Sequence, residues 1–406
     1  MKTEHKEVVL SDLLKAKLPK FERGPVTIIF VLITLVIIFL ISRTSSINQD
    51  LMLADSTGQS YFTGVVTKIN DATSTDVAGQ AYNFQTVEVK LEDGKSVEVD
   101  NQMDTGALAS QTVKVGETLV LTKLENETGE QYVIADRYRI PAIIIIFGIF
   151  FALTIFFGGF KGLTSILGLF FTIFVLIDFV VPHIVSGGDP LKISLVGASI
   201  IAFVSIYMAH GLNRRTTIAL LGTVISIAIA TFMAVFFVDI AKLNGTGSEE
   251  ALLLNVSSNI TINLKGLLLG GIIFGVLGVM DDVTTAQSAA IEEIKRAKPD
   301  ITFQELYRSG ISVGKEHIVS LVNTLMLAYI GSSFPLLLLF SLNQGVPFWV
   351  TANSEFIIEE VIRTLVGSSA LVIAVPLTTL LAAYFFSKWK VEPLADSDSK
   401  PHLHRH

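Results

Sequence analysis

The sequence predicts an α-helical membrane protein that crosses the bilayer about eight times and carries one small all-β, OB-like domain outside the cytoplasm. Half of the 406 residues are hydrophobic and only 17% are charged, a composition too apolar for a water-soluble protein. The apolar residues are gathered into runs long enough to span a membrane, such as residues 25–41 and 193–209. After the first run, residues 43–139 change to short strand-like segments separated by turns.

Nearly uncharged segments with the length of a bilayer crossing are predicted as membrane helices. They are residues 26–42, 140–158, 163–182, 191–209, 216–239, 264–280, 316–340 and 362–387. The first segment could instead be a cleaved signal peptide. Its apolar run is long and no A-x-A-like cleavage site follows it, so an uncleaved anchor is predicted.

Lysine and arginine residues determine the predicted orientation. Cytoplasmic loops are enriched in these residues, and the basic segment 1–25 is therefore placed in the cytoplasm. An even number of crossings also places the polar tail 388–406 inside. The short loops predicted outside, 183–190, 240–263 and 341–361, hold one basic residue between them, Lys242, which agrees with this topology.

Residues 43–139 are predicted to form the external β domain. Polar and apolar residues alternate in 86–91, which gives one buried and one wet face. Glu92, Asp93 and Gly94 then mark a hairpin turn. Because the chain has no cysteine, packing alone must hold this domain. The predicted strands are residues 61–69, 84–91, 96–99, 111–115, 118–124 and 131–135.

Several classes of function lack their sequence signature. No basic patch with interleaved aromatic residues indicates nucleic-acid binding, and no G-x-S-x-G, H-E-x-x-H or Walker lysine motif indicates an enzyme. Asp178 is predicted to lie roughly 22 Å from the inner end of its helix, whereas Asp281 is predicted at the inner face of the membrane. The two are therefore too far apart for an aspartyl protease dyad. His402, His404 and His406 in the tail suit adventitious metal binding at most. We predict no enzyme, no cofactor and no metal site.

The sixth predicted helix is unusually rich in glycine. Gly270, Gly271, Gly275 and Gly278 leave one part of it nearly without side chains, and the spacing of Gly271 and Gly275 permits close approach of another helix. Helix packing is the favoured interpretation. A thin helix can also line a permeation path, and that interpretation stays open.

Asp281 and Asp282 follow where this helix reaches the cytoplasmic interface. Adjacent carboxylates repel, so the pair is a candidate for sharing a cation or proton with a partner. Alternatively, an aspartate here caps the next helix. That next helix, residues 283–297, is predicted to lie along the membrane surface.

The seventh predicted helix carries polar residues inside an apolar segment. His317 lies at its inner end, and Asn323 and Thr324 lie about 12 Å deeper. With Asp281 and Asp282 they are predicted to form a polar pocket that opens to the cytoplasm, on the premise that the sixth and seventh helices are neighbours. Hydrogen bonds that serve assembly alone are the open alternative.

The eighth predicted helix begins with charged residues at the outer side. Glu360 and Arg363 are included in the candidate path for a solute or ion, and Glu359 has the spacing of an ion pair with Arg363. Pro376 is predicted to interrupt this helix near mid-membrane.

Three segments resemble the YibE/F family of bacterial membrane proteins over about residues 140–387: GVLGVMDDVTTAQSAAIEEI, ELYRSGISVGKEHIVSLVNTLMLAYIGSSFPLLLLF and GSSALVIAVPLTTLLAA. The third includes Gly367 and Pro376 in the expected places. The anchor and external domain resemble the longer, YibE-like form. The resemblance implies a Gram-positive cell membrane and a shorter, YibF-like partner, but no established substrate.

The resemblance also implies which positions are characteristic of the family: Asp281, Glu292, Asn323 and Thr324. Asp282 stands where many relatives have an apolar or small residue, so the pair of aspartates departs from the pattern.

Polar side chains inside apolar helices are costly unless they are used or paired. We therefore predict a transporter, or the membrane subunit of one, that moves a small solute or ion past the sixth and seventh helices. The alternative is a non-transporting membrane scaffold or sensor whose external β domain binds a ligand or partner. Beyond the lipid bilayer, the predicted partner is a YibF-like protein or a second copy of this chain.

Overall fold

The structure is a computed structural model that describes residues 60–75, 81–102, 113–126, 129–257, 262–335, 338, 342 and 345–389. The predicted membrane helix 26–42 and the tail histidines lie outside the described residues. The described residues belong to two compact units, which divide between Thr154 and Ile155.

The smaller unit contains a five-stranded antiparallel sheet with the strand order β3-β2-β1-β4-β5. Its outer strands β3 and β5 contact each other, so the sheet curls around its buried face. An antiparallel β domain is thus confirmed, whereas its OB-like form stays a prediction. The strands are β1 Ser60–Thr75, β2 Ala81–Leu91, β3 Ser96–Gln102, β4 Thr118–Asn126 and β5 Gly129–Arg137.

Alternation along β2 builds the core of this sheet. Val87 and Val89 are fully buried, while Glu88 between them is exposed. The predicted hairpin to β3 is confirmed, and Gly94 makes its turn with φ +85°. The predicted strand 111–115 is wrong for residues 113–115, because they run into a turn at Gly116 with φ +89° before β4 begins.

Helices make up most of the described chain from residue 140 onward. A π-helical segment, Leu176–Val180, lies between the first two. The helices are α1 Ile140–Val175, α2 Val181–Val185, α3 Pro190–His210, α4 Arg214–Ile240, α5 Glu249–Ser257, α6 Leu264–Ala297, α7 Phe303–Ser332, α8 Phe348–Ala352 and α9 Glu355–Lys388.

Five helical stretches in the described part of the chain are long and apolar enough to cross a membrane. They are Ile140–Val185, Pro190–His210, Arg214–Ile240, Leu264–Ala297 and Glu355–Lys388. Gly159 interrupts the first stretch with φ 56° and ψ −137°, so the predicted helices 140–158 and 163–182 fall on either side of a break. The described part of α7 does not reach this apolarity. Membrane helices are therefore supported, and the count of eight stays a prediction.

Two predicted breaks do not occur. α6 continues without interruption through Asp281 and Asp282, so neither residue caps a helix, and the predicted surface helix is the second half of α6. The physical reason is that Met280, Val283 and Ile291 extend the buried stripe at helical spacing, with no proline to end it. α9 likewise continues past Pro376.

The helical core lies between α4, α6 and α9. Small and apolar side chains fill it, for example Ala234, Met280 and Ala370, each no more than 1% exposed. α3 packs on one side of this core and α7 on another. α7 begins at a capping box, in which the N–H and hydroxyl of Thr302 hold the pKa of Glu305 below its usual range.

Candidate functional site

A pocket of about 220 Å³ lies where α3 ends, α4 begins and α6 passes beside them. Its polar lining combines an imidazole, a guanidinium, a carboxylate and hydroxyls. The lining residues are His210, Arg215, Thr216, Asp282, Thr285, Ala286 and Ala289. The mixture of charges suits a small polar or ionic guest better than an apolar one.

The turn between α3 and α4 holds two of these side chains in place. α3 ends at His210, and Gly211 follows it with a φ of 77° that ends the helix. Asn213 then caps α4: its Oδ1 accepts hydrogen bonds from the N–H and the hydroxyl of Thr216, both at 2.9 Å. His210 lies before this turn and Arg215 after it, and both therefore line the same pocket.

Arg215 is also held from the side of α6. Its Nη1 lies 3.7 Å from Oε2 of Glu292, and the same carboxylate binds Arg296 at 3.1 Å. Ser288 donates a hydrogen bond to the carbonyl of Arg215 at 2.8 Å. Arg215 on α4 is thus fixed to α6. Asp282 remains available to a bound solute or ion.

Asp281 lies next to the pocket lining and deeper in the bundle. Its Oδ1 atom is buried and has no hydrogen-bond partner among the described residues. Burying such an oxygen without a partner is costly. This carboxylate is therefore the first candidate for contact with a solute, a proton or a cation.

A polar belt of side chains lies in the core between α4, α6 and α9, at the level of Asp281 and the pocket. We define it as Thr223, Ser226, Thr284, Gln287, Thr378 and Thr379, all buried. The hydroxyls of Thr223 and Thr284 are 2.7 Å apart, which joins α4 to α6. Gln287 joins α6 to α9 and α7, since its Nε2 donates to Oγ1 of Thr379 at 2.7 Å and to the carbonyl of Gly310 at 2.8 Å.

The polar belt is not fully satisfied. Oγ of Ser226, Oγ1 of Thr378 and Oε1 of Gln287 have no hydrogen-bond partner within the described part of the chain. Buried polar atoms are nearly always paired in stable cores. These oxygens therefore make the belt a candidate for contact with water or a polar solute.

The predicted path residues on α7 lie elsewhere. Asn323 and Thr324 are exposed on the outer face of α7, and Oγ1 of Thr324 donates to the carbonyl of Ser320 at 2.9 Å. His317 is half-buried on the same helix. Of the residues predicted to share one pocket, Asp282 alone lines the pocket described above.

The charged residues at the start of α9 pair differently from the prediction. Arg363 binds Glu360, three residues earlier, at 2.8 Å. Glu359 is only 4% exposed and instead accepts a hydrogen bond from the N–H of Gly247 at 3.0 Å. The predicted Glu359–Arg363 pair is replaced because the loop before α5 supplies a closer donor.

The glycines of α6 have different neighbours. A Cβ at Gly270 would overlap the hydroxyl of Ser194 on α3, which makes this the closest helix approach of the four. A Cβ at Gly275 would lie 3.2 Å from the hydroxyl of Tyr329. Among the described residues, nothing lies within 4 Å of a Cβ at Gly271 or Gly278.

Sequence reasoning missed His210, Arg215, Thr223 and Gln287. The detectable signal was the position of Gln287 on the buried stripe of α6, between Thr284 and Ile291. The others required knowledge of which helices are neighbours. No cluster of three or more His, Asp or Glu side chains in the described residues is placed to hold a metal ion.

Comparison with known proteins identifies one family. A family model described as YibE/F-like protein matches residues 146–388, more than half of the chain. The match covers the pocket, the polar belt and all of α7 and α9. No curated protein and no solved structure matches.

Proposed function

We propose that this chain, which belongs to the YibE/F family of membrane proteins, is a transporter, or the membrane subunit of one, for a small polar solute or an ion. The observation that carries the proposal is the polar belt. Hydroxyl and amide groups, three of them with an unpaired oxygen, are buried among helices apolar enough to cross a membrane. In such surroundings, polar groups without partners usually serve a function.

The proposed route begins at the pocket and enters the bundle past Asp281. The pocket concentrates polar solute, and Asp281 supplies an unpaired carboxylate oxygen at the next step. Thr223 and Ser226 on α4 supply further buried oxygens in the same core. The route therefore follows the faces of α4 and α6 that point to each other, rather than the outer face of α7.

We infer that the pocket opens to the cytoplasm. Lys161 on α1 and Arg214 and Arg215 at the start of α4 lie at this end of the bundle, and Lys388 ends α9. Basic residues collect on the cytoplasmic side of membrane proteins. From the same rule we propose that both termini lie inside a bacterial cell and the β domain outside.

The test replaces Asp281 in the full chain, reconstituted in liposomes. Flux is followed with radioactive sodium, radioactive rubidium and a pH-sensitive dye. We expect Asp281→Asn to lower the flux of whichever ion the wild type moves to the level of protein-free liposomes, because the variant loses the charge at the entrance to the polar belt.

The matched control is Asp300→Asn, which removes a carboxylate from an exposed turn and should leave flux unchanged. Wild-type flux through a stable Asp281→Asn variant would contradict the proposed route. If the wild type moves none of the three ions, transport of a monovalent cation past Asp281 is wrong.

A groove in the β domain favours the alternative, a sensor or scaffold. It has a volume of about 360 Å³ and includes two aromatic rings and two carboxylates. Tyr61 at its edge is 63% exposed, so a ligand or partner can reach it. The lining residues are Tyr61, Phe62, Thr63, Leu91, Glu92, Asp93 and Val120.

Deletion of residues 50–135 separates the two candidates. We expect the shortened chain to retain ion flux in liposomes, because the pocket and the polar belt lie in the other unit. The comparison requires equal amounts of folded protein, measured by size-exclusion chromatography. Loss of a cellular phenotype with no change in flux would instead favour the sensor.

A further inference from the structure

The basic side chains where α4 begins and α9 ends fall into two groups. Arg215, Arg296 and Lys298 each pair with a glutamate on α6 or α7. Arg214 and Lys388 are exposed, and neither has a carboxylate partner among the described residues. Their charges are therefore available to an anion from outside the chain.

Arg214 is held against an aromatic ring at the end of α9. Its Cζ lies 4.9 Å from the centroid of the Trp389 ring, a distance that gives a cation–π contact. The ring of Phe385 stacks on Trp389, with 5.3 Å between the two centroids. The guanidinium is thus positioned by its contact with the ring, and its N–H groups still point outwards along its edge, where a phosphate can accept them.

Lys388 is held by a second aromatic ring. Its Nζ donates a hydrogen bond to Oη of Tyr384 at 2.6 Å and lies 3.9 Å from the centroid of that ring. Tyr384 and Lys388 are four residues apart on α9, so they lie next to the parallel pair Phe385 and Trp389. The two cations therefore belong to one surface. We define this aromatic-basic patch as Arg214, Tyr384, Phe385, Lys388 and Trp389.

The length of α4 indicates the depth of the patch in a membrane. α4 begins at Arg214 and has 27 residues, so it extends about 40 Å. A bilayer with its headgroups is about 40–45 Å thick. At the other end of α4, Asp239 binds Lys265, so charged groups mark both ends of this apolar helix. Arg214 and the rings beside it are therefore expected at the level of the lipid headgroups.

We propose that the aromatic-basic patch binds the phosphate of an anionic phospholipid such as phosphatidylglycerol. Arg214 and Lys388 supply two unpaired positive charges from neighbouring helices. A zwitterionic headgroup brings a positive charge of its own, which both cations repel. The rings of Tyr384 and Trp389 suit the boundary between headgroups and acyl chains, and a free anion in water gains nothing from them. This binding does not depend on whether the chain transports an ion.

Tryptophan fluorescence tests the patch directly, because the chain has only two tryptophans. Trp349→Phe in the full chain leaves Trp389 as the single reporter. The protein is placed in vesicles in which a fixed fraction of either phosphatidylcholine or phosphatidylglycerol carries bromine near the headgroup end of its acyl chains. Bromine quenches tryptophan only at short range. We expect the quenching to show a preference for phosphatidylglycerol of about five- to thirtyfold at Trp389.

Arg214→Gln and Lys388→Gln should each lower this preference about fivefold, and the double variant should abolish it. Because the preference is a ratio between two lipids, a change in the exposure of Trp389 cancels.

Two controls are matched to these variants. Lys298→Gln removes the same charge at the same end of the bundle, but from a lysine that already pairs with Glu305, so the preference should be unchanged. Trp389→Phe leaves Trp349 on α8, beside the start of the 34-residue helix α9 and about 50 Å from its end. Trp349 should show no preference.

Three results would overturn the proposal. One is equal quenching of Trp389 by the two brominated lipids. Another is a preference that survives in the double variant, or that falls equally in Lys298→Gln. The third is loss of the preference when inorganic phosphate is added at constant ionic strength, which would assign the patch to a free anion instead of a lipid. None of these readouts requires ion flux, so they remain decisive if the chain moves no ion.

Discussion

Alanine at Gly245 is expected to destabilise the junction of α4, α6 and α9 by about 2–4 kcal/mol. Gly245 has φ +82°, a conformation that side chains other than glycine rarely adopt. A Cβ there would also overlap the backbone carbonyl of Leu264, the first residue of α6. A backbone group cannot move aside as the end of a side chain can, so the whole loop must shift.

The measurement is thermal unfolding of the purified full chain in detergent, and Gly271→Ala is the matched control. Gly271 lies two turns into α6, and among the described residues nothing lies within 4 Å of its added Cβ. Alanine is a better helix former than glycine, so this variant should be unchanged or slightly more stable. A Gly245→Ala variant that melts at the wild-type temperature would show that the junction at Gly245 is not tightly packed.

The membrane helices could be predicted closely where apolar runs end at polar caps. The observed bounds of α3 and α4 differ from the predicted bounds by one or two residues. Asp189 and Asn213 supply the caps at their starts. The ends of β2 and β3 at their shared hairpin, Leu91 and Ser96, were predicted correctly, because alternation and the Asp93-Gly94 turn are local signals. Their other ends extend three residues beyond the prediction.

Features that depend on neighbouring helices could not be predicted in this way. Asp281 and Asp282 look like the end of a helix, but buried contacts on the far side of α6 carry the helix on to Ala297. Asn323 looks like a pocket residue until α7 is placed at the edge of the bundle. Its orientation depends on which face packs against α9, and spacing within one helix does not contain that information.

The polar belt depends both on a local sequence signal and on contacts between helices. Gln287 on the buried stripe of α6 is visible in the sequence, whereas its partners Gly310 and Thr379 are 23 and 92 residues away. The pocket beside it depends on the short turn between α3 and α4. The route was predicted between α6 and α7, and the pocket and polar belt favour a route between α4 and α6 instead.

Alanine at Glu355 is expected to cost about 2–4 kcal/mol of stability, since this one carboxylate accepts several charge-assisted hydrogen bonds. Its Oε1 accepts from the N–H groups of Asn244, Gly245 and Thr246 at 2.6, 3.0 and 3.3 Å. Its Oε2 accepts from the hydroxyl of Thr246 at 3.0 Å. Without it, the buried N–H of Gly245 loses its acceptor and the loop before α5 separates from α9.

Two further variants show whether the acceptor or the charge matters. Glu355→Gln keeps one acceptor oxygen, so it should retain about half of the stability lost in Glu355→Ala. Glu250→Ala, at an exposed position of α5, should unfold at the same temperature as the wild type. Limited proteolysis should cut residues 241–248 faster in Glu355→Ala alone. In that variant Glu359 still accepts from Gly247, but Asn244, Gly245 and Thr246 have lost their acceptor. Unchanged melting and unchanged cleavage in Glu355→Ala would mean that this loop is fixed by packing, with Gly245 against Leu264 as the main contact.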